Sequence, residues 1–96
     1  MTVSGLEVAI RRGLLLRKLE ANYPHPLMRR LLELPDGVYA DDGDMLRDLA
    51  YLAELRLIEE STETVAQVKL RLYRCTAAGV DVVKGHARCA GVDVAG

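Results

Sequence analysis

The stretch Leu49-Ala50-Tyr51-Leu52-Ala53-Glu54-Leu55-Arg56-Leu57-Ile58-Glu59 decides how this chain is read, because its hydrophobic period changes within it. Leu46, Leu49, Leu52, Ala53 and Leu57 recur at helical spacing, which predicts a helix ending near Arg56. Asp42 or Asp44 can cap its start, where an acid also suits the helix dipole. That places Arg47, Asp48, Tyr51 and Glu54 on the expected exposed face. Beyond it, Leu57-Ile58-Glu59-Glu60 opens a strand. From Gln67 the polar residues Gln67, Lys69, Arg71 and Tyr73 alternate with Val68, Leu70 and Leu72. The two strands form a hairpin through Ser61 to Val65. With no Asn-Gly or Asp-Gly at the tip, the loop is expected to exceed two residues.

Working outward, Thr76 can cap a short last helix from Ala77 to about Lys84, closed by Gly85. Toward the N-terminus, Gly5 to Ala21 reads as a helix with two apolar stripes. Leu6, Ile10 and Leu14 form one; Val8, Leu15 and Leu19 form the other, with Glu7, Arg11 and Lys18 between them. The helix before the hairpin and the hairpin itself can cover one stripe only, so Val8, Leu15 and Leu19 are the expected interface of a homodimer unless the last helix covers them. Asn22-Tyr23-Pro24-His25-Pro26 ends this helix, and Pro26 suits the first position of a second, Pro26 to Leu34. Pro35-Asp36-Gly37 would stop that one, and a little extended structure is expected around Val38-Tyr39-Ala40. The expected organisation is one domain over residues 1–86 and a flexible tail over 87–96. The fold class is mainly α with a small β-hairpin (α+β): three helices, a two-stranded hairpin and a C-terminal helix.

Three helices, a hairpin and a helix follow the order of the winged helix-turn-helix superfamily, and two segments resemble it specifically. Leu49 to Glu59 resembles its segment of spaced leucines followed by Gly-Leu-Ile, which forms the recognition helix and enters the wing; Arg56 stands where that family often has Gly. Leu72-Tyr73-Arg74-Cys75-Thr76-Ala77-Ala78-Gly79 resembles the Leu-Thr-x-x-Gly that closes the wing in MarR, PadR and ArsR-like groups, with Cys75 replacing the usual Leu. Leu14 to Gly85 is also similar to small ArsR-like proteins of Mu-like prophages. The resemblance implies a dimeric, cytoplasmic transcription regulator of phage or prophage type. Its third helix would enter the major groove of double-stranded DNA, with its wing on the phosphates. A protein-interaction module on the same fold is the alternative.

Under that reading Arg47 and Tyr51 contact bases or phosphates, Lys69 and Arg71 lie on the backbone, and Arg29 and Arg30 position the duplex. The charge balance opposes it: 13 Lys and Arg face 14 Asp and Glu, a net charge of −1. Asp41, Asp42, Asp44 and Asp48 crowd the end of the helix that would meet phosphates. Half of the residues are apolar and 28% charged, an ordinary globular composition, with no Trp or Phe for the core. No apolar run approaches the ~20 residues of a membrane span. Met1-Thr2-Val3-Ser4-Gly5 lacks the pattern of a secretion signal, and Cys75 and Cys89 have no framework spacing, which points to a reducing cytoplasm. Of the soft ligands His25, His86, Cys75 and Cys89, only His86-Ala87-Arg88-Cys89 nears metal-ligand spacing, so no metal and no cofactor is expected. No nucleophile elbow, phosphate-cradling loop or HExxH is present, and an enzyme is not expected.

Overall fold

The computed structural model describes residues 5–32, 34, 37–39 and 41–94. Its chain order is α1 (Gly5–Glu20), β1 (Leu27–Met28), a 3-10 turn (Arg29–Leu31), α2 (Asp42–Glu54), β2 (Ile58–Val65), β3 (Val68–Cys75) and α3 (Ala77–Val83). The result is an α+β domain of three helices and one antiparallel sheet ordered β1-β3-β2.

The sheet has three strands rather than the expected two. The helix expected from Pro26 to Leu34 is replaced by β1 and the 3-10 turn, with Leu27 opposite Tyr73 and Met28 opposite Leu72. A helix that short has few internal hydrogen bonds and a costly nucleus. The open edge of β3 offers the same backbone groups ready partners, and the strand forms. The stop expected at Pro35-Asp36, and Ala40 in the expected extended stretch, lie outside the described residues.

The hairpin also differs from expectation. Its strands pair without a break from Ile58↔Cys75 to Val65↔Val68, leaving a two-residue tip, Ala66-Gln67. Both tip residues take positive φ, 50° and 66°. Two left-handed central residues match the twist of the flanking strands, which is why Asn-Gly is favoured there. Here the eight-pair ladder imposes that geometry on residues that do not prefer it. The inward side of β3 is carried by Tyr73 and Cys75, whereas Val65 and Val68 near the tip are exposed.

Helix boundaries follow local chemistry. Asp41, rather than the expected Asp42 or Asp44, caps α2, its carboxylate accepting from the Gly43 N–H at 2.6 Å. The helix ends where Arg56 adopts φ 63°, a left-handed residue just past the last turn. Thr76 caps α3 by accepting from Gly79 N at 3.2 Å. A Cβ at Gly79 would collide with the Leu57 carbonyl, so a glycine lets α3 seat against the entry to β2.

The core joins Leu15, Leu16 and Leu19 of α1 to Leu49 and Leu52 of α2, with Leu32, Leu57, Ile58, Tyr73, Cys75, Val82 and Val92. Leu15 and Leu19 are therefore no dimer interface. Both are 0% exposed within one chain, inside the core shared with α2, the sheet and α3, and Val8 is half-buried. The uncovered stripe of α1 is the other one, at Leu6 and Ile10.

The segment expected to trail away from residue 87 instead folds back across α1 as far as Val94. Asp93 N donates to Ala9 O at 2.9 Å, and Val92 is buried. A Cβ at Gly13 would strike the Asp93 carbonyl, so the crossing depends on a glycine in mid-helix.

Leu52 has no exposed surface and meets both α1 and the sheet layer. Leu52→Ala is expected to cost ~2–5 kcal/mol, read from urea unfolding. A change below half a kcal/mol would contradict this packing.

Candidate nucleic-acid interface

A face that meets DNA has to combine an exposed helix with donors that no acid of the same chain has already claimed. On α2 the exposed positions are Asp42, Gly43, Leu46, Arg47, Ala50 and Glu54. They follow from which side is pulled inward: Leu49 and Leu52 enter the core, and the opposite arc faces water. Arg47 lies in the middle of this arc. Next in sequence comes the β2–β3 hairpin, on which every residue from Glu59 to Lys69 is exposed.

The six expected DNA contacts sort into three groups. Arg47, Lys69 and Arg30 are exposed. Arg29 lies 3.3 Å from Asp42, and Arg71 lies 2.9 Å from Glu60 across the hairpin. These exposed pairs are weak, about 0–1 kcal/mol, and a phosphate can compete for either cation. Tyr51 is not on the exposed face. Its ring carries the Arg12 guanidinium 3.7 Å from the centroid, and its hydroxyl donates to Ala90 O at 3.3 Å. It holds the returning C-terminal segment instead.

Asp48, expected on the wet face with Tyr51, is the larger correction. It is 1% exposed, and its carboxylate collects three side chains. Oδ2 accepts from Arg11 Nε at 2.9 Å and from the Tyr39 hydroxyl at 2.6 Å; Oδ1 accepts from Arg12 Nε at 3.1 Å. Arg11 and Arg12 are consecutive on α1, so their side chains leave about 100° apart and close on the carboxylate from two sides. Arg12 also donates to Gly91 O at 3.3 Å. Among the described residues no buried side-chain nitrogen or oxygen lacks a partner. Burial and the bond to Asp48 push the Tyr39 hydroxyl well above its ordinary value, so it stays a donor. Burial works to lower the Arg11 value, but the hydrogen bond and charge of Asp48 outweigh it and raise the net value.

The signal for Asp48 was present in the sequence. Met45, Asp48, Leu49 and Leu52 share one helical arc, and Arg11-Arg12 supplies the matching charge on a helix that must pack against it. Reading each helix separately leaves the pair unmatched.

Two more of the acids near the start of α2 are also engaged. Asp41 is bound to the helix N-terminus and Asp42 to Arg29. Glu59 pairs with Arg74 at 2.7 Å across the hairpin. Among the described residues no group of three or more His, Cys, Asp or Glu is placed to hold a metal, and no helix is long and apolar enough to cross a membrane.

Cys75 is buried and Cys89 half-buried, both as free thiols. Burial, then the nearby Glu20 charge, pushes the Cys75 thiol up to about 11. No family model matches the chain, and neither a curated protein nor a solved structure matches it.

Two outcomes are expected. Asp48→Asn removes the charge that Arg11 and Arg12 share and should cost about 2–3 kcal/mol in urea unfolding. That lies below the usual 3–5 for a broken buried pair, because both guanidiniums keep some water. Tyr39→Phe should cost less, about 1–2 kcal/mol, since it deletes one hydrogen bond to a charged acceptor. In thiol labelling of the native protein, Cys89 should react and Cys75 should be silent until the chain is unfolded. Rapid native labelling of Cys75 would contradict its burial.

Proposed function

We propose that this chain is a winged-helix DNA-binding domain acting as a transcription regulator of phage type, with α2 as recognition helix and the β2–β3 hairpin as wing. The observation that carries the reading is the hairpin. Its outer half buries nothing, yet its strands pair to the last residue before a two-residue turn. A ladder that long contributes little to its own core and is suited to reach another molecule.

Other features support the same assignment. The chain order of helix, short strand, helix and hairpin, with the short strand beside β3, agrees with the superfamily that Leu49–Glu59 and Leu72–Gly79 resemble. One departure stands: a 3-10 turn takes the place of the middle helix. The charge objection weakens as well. Asp48 is neutralised inside the domain, and Asp41, though exposed, is bound to the helix end. Lys69 and Arg71 alternate in step with Tyr73 and Cys75, extending the inward face of β3 past the core.

In this mechanism Arg47 reads a base edge, Lys69 and Arg71 lie on one phosphate backbone, and Arg30 fixes the approach of the duplex. Binding is reversible occupation of a site, with no bond made or broken. A protein partner is the second reading, favoured by Leu46 and Leu55 on and beside α2, each 37% exposed, and by the exposed acid Glu54 on the same helix.

Fluorescence anisotropy with a random duplex at ~50 mM salt separates the two. Binding should weaken steeply as salt rises. Lys69→Ala should lower affinity about equally for all sequences and reduce the salt slope by about one. Arg47→Ala should cost ~1–3 kcal/mol on a selected site and blur the preference. Glu54→Gln with Glu63→Gln should tighten binding. No binding by either the parent or that double variant would overturn the DNA reading.

A further inference from the structure

The register of the sheet sorts its side chains onto two faces, because residues directly opposite one another share a face and successive ones alternate. Tyr73 and Cys75 are buried on the core side, with Ile58 opposite Cys75, and Arg71 and Lys69 continue that side toward the tip. The other face carries Met28 of β1, opposite Leu72. Along β3 it continues through Leu70 to Val68, with Val65 opposite Val68. None of these five belongs to the core or packs against it, whereas Leu27, the neighbour of Met28, does. Val65 is 51% and Val68 57% exposed, and Met28, Leu70 and Leu72 are half-buried. The hairpin is basic on one side and apolar on the other.

The apolar row has a length and a charged border. From Val68 to Leu72 it covers about 14 Å at the rise of a strand. An α-helix spans that distance in about nine residues, presenting apolar side chains at i, i+3 or i+4, and i+7. On β2 the row is bordered by Glu59, Ser61 and Glu63, which stand opposite Arg74, Leu72 and Leu70. Glu59 is bound to Arg74 at 2.7 Å. Glu63 is exposed and has no ion pair among the described residues. The uncompensated charge on the strands of this face is therefore negative. It repels a phosphate backbone and attracts a cation carried beside an apolar row.

We propose that this outer face of the sheet docks an amphipathic helix of another protein, one whose Lys or Arg residues flank an apolar row and lie beside Glu63. The surface is separate from α2 and from the side of the hairpin that carries Lys69 and Arg71. It goes beyond the DNA reading, and each can fail without the other. A patch of five side chains implies a weak, reversible complex in the micromolar range.

The probe is a fluorescein-labelled peptide of about four helical turns, with leucines along one side and lysines elsewhere. Its control carries glutamates in place of the lysines. Anisotropy should show the lysine peptide binding in the micromolar range and the glutamate peptide about tenfold more weakly. Amide shifts in NMR should place the lysine peptide on Met28 and the Val68–Leu72 stretch. Val65→Ser with Val68→Ser, both at exposed positions, should raise the dissociation constant about tenfold and leave circular dichroism and duplex binding unchanged. Glu63→Lys should turn the preference toward the glutamate peptide. Lys69→Ala, on the other side, should weaken duplex binding alone. Absence of binding by the lysine peptide across the micromolar range overturns the proposal, as does equal binding of the two peptides. Shifts confined to Leu46 and Leu55 on and beside α2, or an affinity indifferent to the double valine variant, also overturn it. So does a parent protein that light scattering shows as a dimer and that the double variant makes monomeric, because a second copy then covers the face.

Discussion

The carboxylate of Asp48 is the contact on which the arrangement of this domain turns. It lies inside, between two consecutive arginines of α1 and the hydroxyl of Tyr39. Through Arg12 it reaches the carbonyl of Gly91 and the ring of Tyr51, so one anion links both long helices, the loop before α2 and the returning C-terminal segment. Ion pairs of this kind add little net stability over an apolar replacement, because removing the charges from water offsets their attraction. Their effect is geometric. A leucine core tolerates some rotation of a helix about its axis, whereas a carboxylate held by three directional donors does not.

That fixed rotation of α2 determines what the surface offers. With Asp48 and Leu49 inward, Arg47 and Ala50 face water, and Tyr51 turns sideways under Arg12. The domain has more acids than bases, yet several acids are consumed by its own architecture: Asp48 in the interior, Asp41 at the helix end, Asp42 and Glu59 in ion pairs. Net charge is a poor guide to a small surface when the charges are divided between scaffold and face in this way.

The hairpin is governed by a different constraint. β2 is an edge strand for its whole length, and such edges invite pairing with other chains. Glu59, Glu60 and Glu63 along it supply the charge that discourages such pairing, and Arg71 and Arg74 on β3 bind two of these glutamates across the ladder. These ion pairs moderate the basic character of the hairpin, and its register is carried by the eight-pair backbone ladder. Register in turn is what forces Ala66 and Gln67 into left-handed conformations at the tip.

Local chemistry in the sequence determined much of this. The span of α1, the placing of α2, the presence of a hairpin though not its two-residue tip, the Thr76 cap and the ends of α3 follow from periodicity and capping, which act over four or five residues. Whatever depends on residues far apart in the chain was decided by the tertiary structure. Leu27 and Met28 become a strand because β3 offers an edge more than forty residues later. Leu15 and Leu19, equivalent by pattern to Leu6 and Ile10, go inside because α2, the sheet and α3 close over one core. Asp48, polar on any scale, is buried because Arg11 and Arg12 arrive from another helix to meet it. Periodicity tells how a helix divides its faces, but the choice of face for the core belongs to the partners that pack on it, and those are brought together only by the fold.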